Sequence, residues 1–180
     1  GNDYEMGYKQ GLMFNTQIKQ LFENLTTSKE FLSSKPAYVP KFIYEKFATI
    51  FSSKMIRNWI RDYFPSQWEF LKGLSEGVEI SINKILFIQA IDALGTLISN
   101  YKVEGGVSSS FNNCSAVGIR GEKTTTGGVL MIKNWDGPEF LAKYTIFRKI
   151  KSIFERYSTI GSGLVGLGAI NNGMNEKGLS

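Results

Sequence analysis

The hydrophobic periodicity changes once along this chain of 180 residues, close to residue 100. Before that point apolar residues recur every three or four positions, as they do on one face of an α-helix. Residues 101–113 are rich in glycine, serine and asparagine, and the runs after them are short and typical of β-strands. The order of elements therefore predicts the α+β class, with a helical segment over residues 1–113 and a β-sheet domain over residues 114–180.

The first helix is expected over residues 4–25, where apolar side chains recur at helical spacing. Gly7 and Gly11 lie one turn apart on it. Two glycines at this spacing leave part of a helix face without side chains, so another backbone is expected to approach closely there.

Three further helices are predicted in the first segment. One covers residues 41–63, after a break that contains two prolines. The next starts at Pro65, which suits a first turn, and ends near Gly77. The last runs over residues 82–98, with Ser81 as its N-cap. The inner side of the helix over residues 41–63 is expected to carry its large apolar residues, Phe47, Ile50, Phe51, Met55 and Trp59.

Short β-like runs make up the second segment. Residues 115–120 and 129–135 flank a turn and are expected to form a hairpin. Residues 142–154 fit a strand and a helix equally well, whereas the glycine-rich residues 159–170 fit a strand better. The string that starts at Gly161 matches GxGxxG, but that motif opens a helix, and more glycine and asparagine follow here. We interpret it as close packing between strands.

The charge pattern argues against nucleic acid as a partner. The net charge is +5, and the lysines and arginines are scattered. They are densest over residues 143–156, where they alternate with apolar residues, so a solvated basic face is the favoured interpretation. No apolar run approaches the roughly 18 residues of a membrane span. We therefore expect neither nucleic-acid binding nor stable membrane insertion.

Two counts restrict the chemistry: the chain has one cysteine and no histidine. An internal disulfide, a thiol-based zinc cluster, a Ser-His-Asp triad and a Cys-His pair are all excluded within these residues. We therefore expect no metal and no cofactor. A nucleophile in this chain must find its base elsewhere.

Cys114 is the candidate nucleophile, because it lies where the polar stretch meets the first strand. The ordinary alternative is a small, half-buried structural cysteine. If the chain is cut between Asn113 and Cys114, the new α-amine of Cys114 titrates near pH 8 and can take the thiol proton. In the uncut chain the same sulfur can attack the carbonyl of Asn113, so the sequence predicts self-cleavage at this bond.

The tetrapeptide from Lys133 to Asp136 is the second candidate constellation. On a strand, Lys133 and Trp135 face one side, and Asn134 and Asp136 face the other. Asp136 is expected to hold the amine of Cys114 from the same side of the hairpin, Asn134 to orient a substrate carbonyl, and Lys133 to bind a carboxylate. The ordinary alternative is a strand end before a Gly-Pro turn.

Several short motifs occur in an order that resembles the acyl-coenzyme A:aminopenicillanic-acid acyltransferase family of N-terminal-nucleophile (Ntn) hydrolases. The likeness runs almost end to end. Bile-salt hydrolases, acid ceramidase and phospholipase-B-like proteins are similar in layout. The motifs that carry the resemblance are Tyr4-Glu-Met-Gly-Tyr-Lys-Gln-Gly11, Phe70-Leu-Lys-Gly-Leu-Ser-Glu-Gly77, Asn113-Cys-Ser-Ala-Val-Gly118, Thr124-Thr-Thr-Gly-Gly-Val-Leu130, Lys133-Asn-Trp-Asp136 and Gly173-Met-Asn-Glu-Lys-Gly-Leu179.

The resemblance implies a four-layer αββα sandwich, made as a zymogen that matures autocatalytically and then hydrolyses or transfers an acyl group at a linear amide. By position, Cys114 takes the role of the nucleophile and Asp136 that of the aspartate near its amine. Lys133 stands where many relatives carry arginine. The family's oxyanion-hole asparagine would follow residue 180, with Asn171, Asn172 and Asn175 as local alternatives.

The expected partners are a small N-acyl amide or acyl donor and the remainder of the same protein or a second processed chain, since residues 114–180 are too few for the whole sandwich. A homo-oligomer is a further expectation, and the family's extracytoplasmic members favour a secreted or periplasmic location. Two alternatives stay open: a non-catalytic helical module that binds a partner or lipid, and a phospholipase-B-like lipid amidase.

Overall fold

The computed structural model describes residues 2–91, 113–151 and 157–179, except for the side chains of Asn113 and Asp136. These residues have a mixed α+β structure, as predicted. The helices are α1 (Asp3–Met13), α2 (Asn15–Thr27), α3 (Lys29–Ser33), α4 (Lys41–Tyr63), α5 (Pro65–Val78) and α6 (Ile82–Gln89). The strands are β1 (Asn113–Ile119), β2 (Leu130–Asp136), β3 (Thr145–Ile150), β4 (Thr159–Leu164) and β5 (Asn172–Asn175).

The closest helix pair, α1 on α5, confirms the expected approach at the glycines of α1. Gly7 and Gly11 are buried against Gly73 and Gly77 of α5. A Cβ atom built on Gly11 would lie 2.8 Å from the carbonyl oxygen of Leu74, and on Gly7, Gly73 and Gly77 it would also meet backbone atoms of the facing helix. Only glycine fits at these positions, because any side chain would force two backbones apart.

The first predicted helix is divided at Phe14, whose backbone leaves helical geometry between α1 and α2. At this break the side-chain amide of Asn15 donates to the carbonyls of Gly77 and Val78, 3.2 and 3.0 Å away. These carbonyls belong to the last turn of α5, where intrahelical donors run out. At the break between α1 and α2, Asn15 therefore supplies hydrogen-bond donors to carbonyl groups at the end of α5.

The core includes side chains from both predicted segments. Apolar residues of α2, α5 and α6 meet the last residue of β4 and the residues that follow it, so the helical core extends to the end of β4. The fully buried large side chains are Ile18, Leu21, Leu71, Leu74, Val78, Ile85, Leu86, Ile88, Leu141, Leu164 and Val165. Side-chain amides add specific links: Gln10 donates to the carbonyl of Val165 at 2.8 Å, and Gln89 to that of Gly166 at 2.7 Å.

Helix α4 has the predicted bounds, but the prediction of its inner side is wrong. The buried side carries small polar residues, Thr49, Ser52 and Ser53, together with Ile60. The large apolar residues expected inside are exposed: Phe47, Ile50, Phe51, Met55 and Trp59. The hydroxyl of Ser52 donates to the carbonyl of Ala48 within the helix, at 2.7 Å. Because such hydroxyls have hydrogen-bond partners inside α4, the side that carries the small polar residues can pack against the protein.

Helix α6 ends at Gln89, before the predicted end at residue 98, and residues 92–98 lie outside the described part of the chain. Ser81 precedes α6 with an extended backbone but makes no side-chain cap hydrogen bond. The short α3 was not predicted. Its N-cap Ser28 accepts a hydrogen bond from the backbone nitrogen of Phe31 at 3.2 Å, which is a local signal that a sequence reading could have used.

Strands β3, β4 and β5 form an antiparallel sheet in chain order. The ambiguous residues 142–154 thus resolve into the end of a 3-10 helix (Glu139–Tyr144) and β3, with residues 152–156 not described. The string from Gly161 continues as β4 and opens no helix, as interpreted. A Cβ on Gly173 of β5 would lie 3.2 Å from the Cα of Gly161, so the strands meet closely at these glycines.

Candidate active site

Cys114 is the second residue of β1, and its thiol is exposed. β1 pairs with β2 in an antiparallel hairpin, as predicted, around a turn that includes a short 3-10 helix (Gly121–Lys123). The register places Cys114 opposite Trp135 and Ala116 opposite Lys133. Because directly paired residues share a face of the sheet, these four residues lie on one face.

The register corrects the expected position of Asp136. Its backbone pairs with that of Asn113, one position beyond the pair formed by Cys114 and Trp135. Neighbouring residues alternate between the faces of a strand, so Asp136 belongs to the opposite face from Cys114, and the expectation of a shared face is wrong. The amine formed by cleavage would be the backbone nitrogen of Cys114. From the opposite face, Asp136 would have to approach this nitrogen around the end of the strand.

Asn134 lies on that second face, opposite Ser115, and is exposed. The alternation predicted for the tetrapeptide, with Lys133 and Trp135 on one side and Asn134 on the other, agrees with the register. Asn113 begins β1 by its backbone. The residues before it, which we expect to form the loop around the cleavage site, lie outside the described residues.

Among the described residues, Trp135 and Lys133 attach the hairpin to the rest of the molecule. The ring of Trp135 is partly buried and packs against the hydrophobic core. The ammonium group of Lys133 donates to the carbonyl oxygen of Asn171, 3.1 Å away, in the segment between β4 and β5. Both residues lie on the face of Cys114, so this face of the hairpin is the one turned toward the larger sheet.

The asparagines near β5 have different surroundings. The carboxamide oxygen of Asn175 accepts from the backbone nitrogens of Lys177 and Leu179 at 2.9 and 3.0 Å, which fixes the turn after β5. The carboxamide oxygen of Asn172 is buried, and no described residue donates to it. Asn171 contributes its carbonyl to Lys133. Of these three asparagines, Asn171 is the one with a hydrogen bond to β2, the strand that pairs with the strand of Cys114.

Much of the hairpin surface is exposed and apolar. Val117, Leu130 and Ile132 are about half exposed on the face of Ser115 and Asn134. A two-stranded ribbon with an apolar face is marginally stable unless further strands or helices cover it. The hairpin face opposite Cys114 therefore has room for additional structure.

Two cavities lie away from Cys114. One, of about 590 Å³, is between α2 and α4 and is lined by Lys19, Lys41 and Lys84 among others. The other, of about 1000 Å³, lies between α1, α5 and β3. Neither is lined by a residue of the hairpin. Cys114 itself is exposed on the surface of β1.

Arg148 borders the larger cavity and was not singled out by the sequence. Its guanidinium donates to the carbonyl of Leu167 at 3.1 Å and to that of Ala169, while its Nε is buried with no partner among the described residues. Burial lowers the pKa of Arg148 below its ordinary value. The alternation of Ile146, Arg148 and Ile150 on the inner side of β3 was the available signal.

Comparisons with known proteins leave this chain without a demonstrated family: no family model matches it, and no curated protein matches it significantly. In the described parts of the chain, no helix has both the length and the hydropathy needed to cross a membrane. Those same parts contain no cluster of three or more His, Cys, Asp or Glu side chains placed to hold a metal ion.

Proposed function

We propose that the chain is part of an autoproteolytically activated Ntn amide hydrolase or acyltransferase of the acyltransferase family named above, with Cys114 as its nucleophile. The observation that supports this best is the position of the only cysteine. It is exposed at the start of a strand, opposite Trp135 and next to Lys133, in a chain that has no histidine.

Maturation follows from the same sulfur. The thiol of Cys114 attacks the carbonyl carbon of Asn113, the bond between that carbon and the nitrogen of Cys114 breaks, and the nitrogen takes up a proton. The products are a thioester on the sulfur and a free amine. Water then cleaves the thioester, which leaves a carboxylate on Asn113 and a thiol with its own amine on Cys114.

The new amine serves as the base. A free α-amine has a pKa of about 8, so a useful fraction is neutral near pH 7 and can accept the thiol proton directly or through one water. The thiolate attacks the carbonyl of an N-acyl amide, and the ammonium returns its proton to the leaving amine. Water or an acceptor amine then takes the acyl group from the sulfur.

The neighbouring residues of β2 have proposed supporting roles. Lys133 shares the face of Cys114 and can attract a substrate carboxylate, with its contact to Asn171 holding it near the sheet. Asn134 is assigned to the substrate carbonyl. Asp136 is assigned to the amine of Cys114, which it would approach at the strand end. Cofactors have no role in this mechanism.

The proposed fold is the αββα sandwich, of which the described helices and two antiparallel sheets would form a portion. The apolar face of the β1–β2 hairpin supports this, since added strands would cover it. The rest of the same protein or a second processed chain would supply those strands. Because side chains of both segments share one core, the pieces made by cleavage would stay associated.

Trapping the acyl-enzyme tests the catalytic proposal. The protein is mixed with p-nitroanilides that carry short to long acyl groups, quenched in acid and weighed by mass spectrometry. An acyl adduct on the piece that begins with Cys114, absent from Cys114→Ala, is expected. Hydrolysis that persists unchanged in Cys114→Ala would exclude Cys114 as the nucleophile.

The two alternative functions predict different results in that experiment. A phospholipase-B-like lipid amidase would show the same adduct but only with long acyl chains. A non-catalytic helical binding module would give an intact chain and no adduct with any substrate. The exposed aromatic side of α4 favours a binding role in addition to the catalytic one.

A further inference from the structure

The outer side of α4 carries large apolar residues on successive turns. Phe47, Phe51, Met55 and Trp59 are spaced by four residues and are 62%, 46%, 45% and 56% exposed. Residues four apart lie on the same side of a helix, so these side chains form one continuous stripe. A contiguous apolar surface of this kind marks an interaction site.

The rings along this stripe are already grouped. The rings of Phe47 and Phe51 stack with centroids 5.9 Å apart. At the other end, the ring of Trp59 lies 6.4 Å from that of Tyr63 and 4.8 Å from that of Phe64. The two exposed groups of rings mark the two ends of the stripe and need little reordering to enter an apolar phase.

Contacts on the opposite side hold α4 in this rotation. Ser52 and Ser53 are buried against the rest of the protein. Arg57 donates to the hydroxyl of Ser53 at 3.1 Å and to the carboxamide oxygen of Asn83 at 2.7 Å, which ties α4 to the first turn of α6. Turning the aromatic residues inward would break these hydrogen bonds and move Ser52 and Ser53 out of the protein, so the stripe faces outward as part of the fold.

The charges on α4 indicate what covers the stripe. The helix has five basic residues against two acidic ones, Glu45 and Asp62. Asp62 is paired with Arg61 at 2.8 Å. Lys46 and Lys54 are exposed, and Lys54 lies one turn from both Ile50 and Phe51. Long lysine side chains beside an apolar stripe can reach phosphate groups while their methylenes lie on apolar surface.

We propose that α4 docks on an anionic lipid bilayer, lying in the plane of its surface. Phenylalanine and tryptophan enter the boundary between headgroups and acyl chains, and the lysines meet lipid phosphates, the arrangement that amphipathic interfacial helices use. A protein partner would need an acidic, apolar surface that matches the whole stripe, whereas an anionic bilayer supplies both properties at once. This docking is separate from the proposed chemistry at Cys114.

Vesicle sedimentation with the 180-residue chain tests this proposal. The protein is mixed with vesicles of phosphatidylcholine alone and of phosphatidylcholine with phosphatidylglycerol, at low and at high salt. Two double variants probe the stripe: Phe51→Ser with Trp59→Ser, and Lys46→Glu with Lys54→Glu. Two matched controls change exposed residues elsewhere: Phe147→Ser with Tyr157→Ser, and Lys9→Glu with Lys123→Glu.

Binding to the anionic vesicles is expected to exceed binding to phosphatidylcholine and to fall as salt rises. Each stripe variant is expected to lose at least about tenfold in partition coefficient, since two aromatic anchors or two charge reversals are involved, and the controls less than about twofold. All variants should keep the wild-type circular dichroism spectrum.

Three results would overturn the proposal. One is the absence of partition into anionic vesicles by the wild-type chain. Another is an equal loss in the stripe variants and in their controls. The third is a dimer in solution, without vesicles, that the variant at Phe51 and Trp59 converts to a monomer, because a second copy would then be what covers α4.

Discussion

Replacing Gly73 with alanine tests the packing of α1 on α5, the closest contact in the helical layer. The added Cβ would overlap the carbonyl oxygen of Tyr4 and lie 2.8 Å from the backbone nitrogen of Tyr8. Both obstacles are backbone atoms, which move only with their whole helix. An extra methyl in a packed interior costs about 1–3 kcal/mol, and the upper end applies where no side chain can yield. Alanine favours the helix over glycine by about 1 kcal/mol, so we expect the free energy of unfolding to fall by about 2 kcal/mol in total.

Thermal and urea unfolding, followed by the helical circular dichroism signal, measure this loss. For a chain of this size about 2 kcal/mol corresponds to a fall in Tm of roughly 4–8 °C. Gly118→Ala is the control, because a Cβ there meets nothing within 4 Å, and its effect should stay within about 0.5 kcal/mol. A Gly73→Ala protein as stable as the wild type, or more so, would refute the close approach of the two helices.

Three further substitutions have expected outcomes. Gln89→Ala removes a side chain that donates to the carbonyl of Gly166 and accepts from the backbone nitrogen of Gly168, so it should lower the free energy of urea unfolding by about 1–3 kcal/mol. Gln17 is exposed, so Gln17→Ala should lower it by almost nothing, and equal effects of the two substitutions would contradict this prediction. Arg148→Met removes charged hydrogen bonds to two carbonyls and should also cost about 1–3 kcal/mol, and a gain in stability would show that the orphaned Nε outweighs them. Asp136→Asn should keep the fold but lower kcat by about 10²–10⁴-fold, and full activity would remove Asp136 from the proposed mechanism.

Local sequence signals predicted the bounds of α4 and α5 well. Proline in the first turn of α5 and the breaks around α4 act within a few residues, so the bounds of both helices were close. Gly7 and Gly11 predicted a close neighbour because a helix face without side chains lets another backbone approach. Which helix would fill it was not predictable, since Gly73 and Gly77 form an equally bare face far along the chain.

The orientation of α4 could not be predicted from its apolar residues. Periodicity identifies an apolar side, but it does not say whether the protein or another phase covers that side. The buried side of α4 carries Ser52 and Ser53, whose hydroxyls have hydrogen-bond partners inside the structure. Such satisfied small polar residues pack as well as apolar ones at close approach, and sequence alone does not reveal their partners.

The candidate site was predictable in composition and less so in geometry. The counts of cysteine and histidine singled out Cys114 without any knowledge of the fold. The hairpin and the alternation along β2 were also predicted. The face of Asp136 was not, because a shift of one residue in register exchanges the two faces, and the turn between the strands sets that register.

The intact mass of the purified protein, measured under denaturing conditions after storage, tests the proposed self-cleavage most directly. Two pieces are expected, residues 1–113 and 114–180, that run as one particle in native gel filtration because they share a core. Cys114→Ala should stay a single chain, and Cys114→Ser should be cut slowly or not at all. A wild-type chain that stays whole, or a Cys114→Ala chain cut at the same bond, would contradict self-cleavage by the thiol of Cys114.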